Sequence, residues 1–310
     1  MAQKRRTELG MGNPLTRNLK PLAIPGKSAP GETGDLAAGL YIVATPIGNA
    51  RDISLRALDV LKGCSVIAAE DTRVTAKLLA IHGIAKPMVP YNDHNGQQMR
   101  PRLLARLERG EAVALVSDAG TPLVSDPGYK LAREAIAAGL SVVALPGASA
   151  VLTGLALSGL PSDRFLFAGF LSAKAGERQS TLEELKGVRA TLIFFESAQR
   201  LADALAAMAM VLGDRPAAVT RELTKLHEEV RRGALSELAA HYAMAGAPKG
   251  EVTLLVGPPE EAVVDSAKTD AALKAALAFM PVKAAADLIA GLTGGSRKTL
   301  YARALELKDE

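Results

Sequence analysis

The sequence predicts an α/β protein with a mainly parallel, doubly wound sheet first, a mixed sheet second and a helix-turn-helix-like tail. Three observations predict it. Five short apolar, β-rich runs recur at near-regular spacing between residues 40 and 145, and the segments between them carry apolar residues three or four apart. A second set of five such runs follows a cluster of turn formers at residues 158–163. The last thirty or so residues read as two helical stretches around a Thr-Gly-Gly break.

The first set of strands is expected at residues 40–44, 66–68, 88–91, 113–116 and 141–145. Residues 54–61, 97–109 and 129–138 have the crossover-helix pattern that joins parallel neighbours. Residues 150–157 read as a helix, and Ser158-Gly159-Leu160-Pro161-Ser162-Asp163 makes a boundary. Beyond it, strands are expected at Phe165–Phe170, 191–196, 217–222, 228–233 and Glu251–Val256, with an Ala-rich helix over 198–212. The short gap between the third and fourth of these implies an antiparallel pair, hence a mixed sheet. In the tail, residues 284–292 form an amphipathic helix, and Ser296 caps a second over 297–305. Leu300, Tyr301 and Leu305 make its apolar side and leave Arg297, Lys298 and Arg303 for solvent or phosphate. A helix-turn-helix and a plain helical hairpin share this spacing. The expected units are therefore 1–38, 39–158, 159–262 and 263–310.

Composition narrows the class. The 310 residues are 48% hydrophobic and 23% charged with one cysteine, which excludes a disulfide scaffold, and no apolar run reaches the length of a membrane span. Lys4, Arg5 and Arg6 are not followed by an apolar stretch, so a cytoplasmic location is expected, with Cys64 as a small apolar filler. The net charge is +4, and residues 1–38 hold six basic side chains against three acidic ones. This Gly- and Pro-rich segment reads as a disordered basic arm, either a solvated tail or a non-specific phosphate contact.

No GxGxxG, Walker A, GxSxG, HExxH or paired CxxC occurs, and His82, His94, His227 and His241 lack metal-ligand spacing. No metal site is expected. What remains is a set of Gly, Pro and hydroxyl clusters at the ends of the first strands, where open α/β sheets hold ligands. Thr45-Pro46-Ile47-Gly48-Asn49, Ser117-Asp118-Ala119-Gly120-Thr121-Pro122 and Pro146-Gly147-Ala148-Ser149-Ala150 each offer backbone at close range. Glu70-Asp71-Thr72-Arg73 and Tyr91-Asn92-Asp93-His94-Asn95 open on the same edge. Arg73 suits a phosphate; Asp71 or His94 suits a hydroxyl to be oriented or deprotonated, although Asp71 also fits a helix cap.

Residues 40–49, 69–73, 116–128 (VSDAGTPLVSDPG), 160–165 and 221–225 together closely resemble the bacterial small-subunit ribosomal RNA cytidine 2′-O-methyltransferases. These form a branch of the tetrapyrrole-methylase-like superfamily, the class III S-adenosylmethionine methyltransferases. The resemblance implies two α/β domains with S-adenosylmethionine in the cleft between them, a homodimer, and a cytidine in the decoding region of 16S rRNA, in the small ribosomal subunit, as acceptor. A relative acting on a tetrapyrrole or a modified histidine would not call for the tail. The resemblance assigns cofactor contacts to Pro46, Gly48, Asp118, Gly120, Thr121, Ser149, Ala150, Phe170, Leu171 and Glu251. RNA-side candidates are Arg73, His94, Lys225, Arg297 and Lys298. Many members carry Gly-Asp-Pro where this chain has Gly120-Thr121-Pro122, so a backbone role survives there and Asp118 is a substitute carboxylate. Ribose methylation calls for a base or for stabilisation of developing alkoxide, with Asp71, His94 and Lys225 as the candidates.

Overall fold

The computed structural model of the protein describes residues 36–259 and 266–309. Most of the expected basic arm, residues 1–35, and the junction at 260–265 lie outside the described residues.

The first sheet comprises β1 (Gly39–Val43), β2 (Val66–Ala69), β3 (Met88–Pro90), β4 (Ala112–Val116) and β5 (Val142–Leu145), all parallel, in the order β3-β2-β4-β1-β5. Alternation along β1 shows why its run is continuously apolar. Tyr41 and Val43 pack on α1 (Leu55–Gly63) and α2 (Thr72–Ile81), whereas Leu40 and Ile42 pack on α3 (Gly96–Glu108) and α4 (Tyr129–Ala137). Both faces are covered, so every β1 side chain is buried. Cys64 is buried in the first of these clusters, as expected of a filler.

The chain leaves β1 toward α1 on one face and leaves β4 toward α4 on the other. The two loops therefore part at adjacent strand ends, and such a switch point opens a crevice. An isolated bridge closes its base: Thr45 N donates to Gly120 O (2.9 Å) and Gly120 N to Thr45 O (3.0 Å).

Helix α5 (Ala150–Ser158) carries the chain across. Its Val151 and Leu155 pack on Ile193, Ala218 and Leu255 of the second sheet, and Gly154 brings the helix within contact of Thr220, Thr253 and Leu255. The second sheet comprises β6 (Phe165–Phe170), β7 (Thr191–Ser197), β8 (Pro216–Arg221), β9 (Glu229–Ala234) and β10 (Glu251–Val256). Its order is β6-β7-β10-β8-β9, with β6 and β7 parallel and the other pairs antiparallel, the expected mixed sheet. Helices α6 (Ala175–Leu185), α7 (Leu201–Leu212) and α8 (Leu235–Ala245) cover its other face.

Among the described residues the tail holds three helices rather than the expected two: α9 (Ser266–Leu277), α10 (Val282–Thr293) and α11 (Arg297–Asp309). Leu273, Ala286, Ile289, Leu300, Ala304 and Leu307 form a core of their own, and Arg303 joins α11 to Asp270 of α9 at 2.5 Å. Arg189, just before β7, donates to Gly294 O and ties this unit to the second sheet. Among the described residues, no helix is long and apolar enough to cross a membrane.

Candidate active site

The switch-point crevice widens into a cavity of about 470 Å³ between the two sheets. The first sheet supplies Ile47 after β1, Glu70 after β2 and the segment Asp118–Thr121 after β4; Ser149 and Ala150 open α5 at its wall. The second sheet supplies Phe170, Phe195, Glu196 and the start of β10 from Glu251 to Thr253. These last groups meet because β7 and β10 pair antiparallel, with Glu251 opposite Ser197. Phe195 packs edge-on against Phe170 at 5.6 Å between centroids, giving the cavity an aromatic side. Gly120 lies at φ +82°, in the left-handed region, and a Cβ there would stand 3.4 Å from Ile47 Cγ2 at the cavity wall. Thr121 donates to Ala148 O (3.2 Å), so its hydroxyl joins the loops after β4 and β5.

Among the described residues, five carboxylates line the cavity, namely Glu70, Asp118, Asp126, Glu196 and Glu251, and no Lys or Arg does. Asp118 N donates to Glu70 Oε2 (3.3 Å), while Asp118 Oδ1 accepts from Asp71 N (3.0 Å). Burial raises the pKa values of Glu70 and Asp118, and neighbouring acids add to the effect. Asp126 is pushed up to about 6, first by burial and then by the charge of Glu70, with a hydrogen bond to Ser117 opposing. Glu196 is only 4% exposed and is held by Arg200 at 2.5 Å; Arg200 in turn donates to Leu171 O. The cavity is thus electronegative, aromatic on one side and bounded by backbone at close range. That donor set fits a cationic, aromatic-bearing ligand of cofactor size.

A second hollow of about 260 Å³ adjoins the first and shares Ile47, Asp118, Ala119 and Glu251 with it. Pro46, Gly48, Ala50, Leu78, Ile81 and Lys225 complete its walls. Here the two sheets touch through the loop after β8. Asn49 N donates to Thr224 Oγ1 (3.0 Å), and a Cβ on Gly48 would lie 2.5 Å from Lys225 Cγ. The loop holds two non-glycine residues at positive φ, Glu222 (49°) and Thr224 (64°), a strained backbone of the kind found at ligand clamps. Lys225 Nζ donates to Glu222 Oε1 (2.9 Å) and Glu251 Oε2 (3.0 Å). Burial alone would lower the ammonium's pKa, but the two carboxylates raise it, so Lys225 stays charged.

The expected site residues fall into three groups. Asp118, Gly120, Thr121, Ser149, Ala150, Phe170 and Glu251 line the larger cavity, while Pro46, Gly48 and Lys225 line the smaller. Leu171, the residue after β6, has its side chain in the core beneath the second sheet, and its carbonyl accepts from Arg200. Asp71 caps α2 through Arg73 N (2.8 Å) and pairs with the Arg73 guanidinium, which holds its pKa down at about 2. His94 is exposed and lines neither hollow. Arg297 is paired with Asp287 at 2.7 Å, and Lys298 is exposed on the tail. Sequence reasoning assigned no role to Glu70 or Asp126, although both sit in the segments that carried the resemblance.

Comparison with known proteins fits this geometry. The family model described as Tetrapyrrole (Corrin/Porphyrin) Methylases matches residues 39–239, and the RsmI C-terminal HTH domain matches residues 263–308. A protein of Mesorhizobium japonicum named ribosomal RNA small subunit methyltransferase I is 54% identical over 88% of this chain and 94% of its own length. The chain belongs to this methyltransferase I family. An Erythrobacter litoralis relative of the same name is also 54% identical, over 88% of this chain and 96% of that relative. With nearly the whole length of each relative covered, family membership extends over both sheets and the three-helix tail. Among solved structures, uroporphyrin-III C-methyltransferase from Thermus thermophilus in complex with S-adenyl homocysteine matches with a TM-score of 0.51 at 20% identity. That match covers 70% of this chain and 96% of the other, and it shows the shared fold of the family's two sheets.

Proposed function

We propose that the chain is an S-adenosylmethionine-dependent methyltransferase of the small ribosomal subunit, and that it methylates the 2′-hydroxyl of a cytidine in the decoding region of 16S rRNA. The carrying observation is the electronegative 470 Å³ cavity at the switch point, which among the described residues is lined by five carboxylates and no cationic side chain. S-Adenosylmethionine supplies a methyl group activated on a positively charged sulfur, and the charge and size of this cavity suit it. Asp118, Gly120, Thr121, Ser149, Ala150, Phe170 and Glu251 are the residues that hold it there.

Alignment supplies much of the acceleration, because the displacement is in-line and the acceptor must be fixed beside the cofactor. Of the expected bases, Asp71 is too acidic and too fully engaged with Arg73, and His94 lies outside both hollows. Lys225 is fully charged, so its role is to stabilise negative charge developing on the acceptor oxygen. Asp118 lines both hollows and is made more basic by burial, so we assign it acceptance of the hydroxyl proton. The tail and the basic arm supply RNA affinity, with Arg297 and Lys298 on the tail and Arg73 near the cleft as phosphate contacts. A homodimer belongs to the same reading; the exposed Phe165 and Leu166 on the edge strand β6 support it.

The test is transfer of labelled methyl from S-adenosylmethionine to small ribosomal subunits purified from cells lacking the enzyme. Incorporation into 16S rRNA is the expected result. Cofactor binding without incorporation would overturn the choice of acceptor.

A further inference from the structure

The smaller hollow has features that the cofactor cavity does not explain. One wall is aliphatic: Pro46 follows β1, and Leu78 and Ile81 lie in the last two turns of α2. Ile81 is 65% exposed, so the fold gains little from an apolar side chain there. The opposite edge is polar, formed by Lys225 and Glu251, a charged donor beside a charged acceptor 3.0 Å apart. At about 260 Å³ the hollow is little more than half the size of its neighbour, and the two share Asp118 and Glu251. The strained loop Glu222–Thr224 fixes Lys225 against Gly48, so this edge is built rather than floppy.

We propose that this hollow seats the base and sugar of one unpaired ribonucleotide, with Ile81 and Leu78 packing on the base face, Glu251 meeting the amino end of its polar edge, and Lys225 between the base carbonyl and the neighbouring ribose oxygen whose charge it stabilises. The inference rests on the methyltransferase reading and identifies where the acceptor sits. A base in a duplex presents only its rim, whereas an unpaired one offers a flat face to apolar side chains and its pairing edge to hydrogen bonds. A carboxylate beside an ammonium matches an edge that has an amino donor next to ring and carbonyl acceptors, which is the cytosine edge. Uracil, with a donor flanked by two acceptors, meets the Glu251 end with a carbonyl. Since the hollows share a wall, a nucleotide seated here brings its ribose to the cofactor cavity.

The experiment uses the full chain and the variants Ile81→Glu and Ile81→Val. Ile81 is at the surface, so neither change disturbs the core; circular dichroism and calorimetric binding of S-adenosylmethionine verify this. Fluorescence anisotropy with a single-stranded RNA bearing the acceptor sequence, without cofactor, reads the hollow independently of turnover. The expected result is at least a tenfold loss of RNA affinity and a tenfold higher KM for subunits in Ile81→Glu. Ile81→Val should stay within about twofold of wild type, and cofactor affinity should be unchanged in both. RNA affinity and KM unchanged in Ile81→Glu, with the wild type active, would overturn the seat and leave the methyltransferase reading intact. Loss of cofactor affinity in Ile81→Glu would also overturn it, since the hollow would then belong to the cofactor. A wild type that binds cofactor but methylates no RNA would overturn the underlying reading, and the seat with it.

Discussion

Replacing Asp126 by Asn should make the protein more stable at alkaline pH and leave it unchanged in acid. Asp126 lies at the cavity wall, where burial and the charge of Glu70 move its pKa from an ordinary 3.8 to about 6. Folding therefore favours the protonated carboxyl. No penalty exists below the unfolded value near pH 4; it grows as pH rises through 6 and is complete above that. A shift of about two units corresponds to ~3 kcal/mol at most, and on the order of 1–2 kcal/mol once partial solvent screening is allowed for. Asn keeps an oxygen that can accept from Ser117 and removes the charge, so the variant should gain that amount at pH 8. Urea denaturation followed by circular dichroism at pH 8 and pH 3.5 measures the difference. A gain of equal size at both pH values, or a loss at pH 8, would refute the electrostatic account of the cavity.

Three further outcomes follow from the same geometry. Gly120→Val should cost roughly 1–2 kcal/mol from the left-handed backbone and abolish cofactor binding by calorimetry while the far-ultraviolet spectrum stays native; retained affinity would move the cofactor away from Gly120. Deleting residues 263–310 should weaken RNA binding tenfold or more and leave cofactor affinity within twofold, because the tail has its own core; equal loss of both, with the fold intact, would refute the division of labour. Lys225→Met leaves Glu222 and Glu251 without their shared cation, so kcat should fall by at least tenfold while the Kd for cofactor changes little; an unchanged kcat would remove Lys225 from charge stabilisation.

The first sheet was legible in the sequence because its central strands are buried on both faces, which leaves continuous apolar runs such as Leu40-Tyr41-Ile42-Val43. The edge between Glu228 and Gly233 was legible through the short turn before it. Helix α9 was not, since its Ala-rich stretch has no sharp apolar stripe until Leu273 meets α10 and α11. Helix α2 escaped as well: Asp71 was legible as a possible cap, but the helix that it caps was not marked. At the site, the loops after β1, β4 and β5 were legible from Gly, Pro and hydroxyl clustering at strand ends. Glu70 and Asp126 stood in quoted segments, yet nothing local distinguishes a carboxylate on a loop from one in a cavity. Glu70 enters only because parallel pairing of β2 with β4 sets it beside Asp118. Glu196 enters only because β7 lies antiparallel to β10, a long-range pairing with no local signature.

The most direct test of the central claim is the identity of the methylated nucleoside. Small subunits from cells lacking the enzyme would be incubated with the protein and labelled S-adenosylmethionine, then digested with nuclease and resolved by mass spectrometry. The account predicts label in 2′-O-methylcytidine. Label in a base-methylated nucleoside, or in the 2′-O-methyl form of a nucleoside other than cytidine, would contradict it.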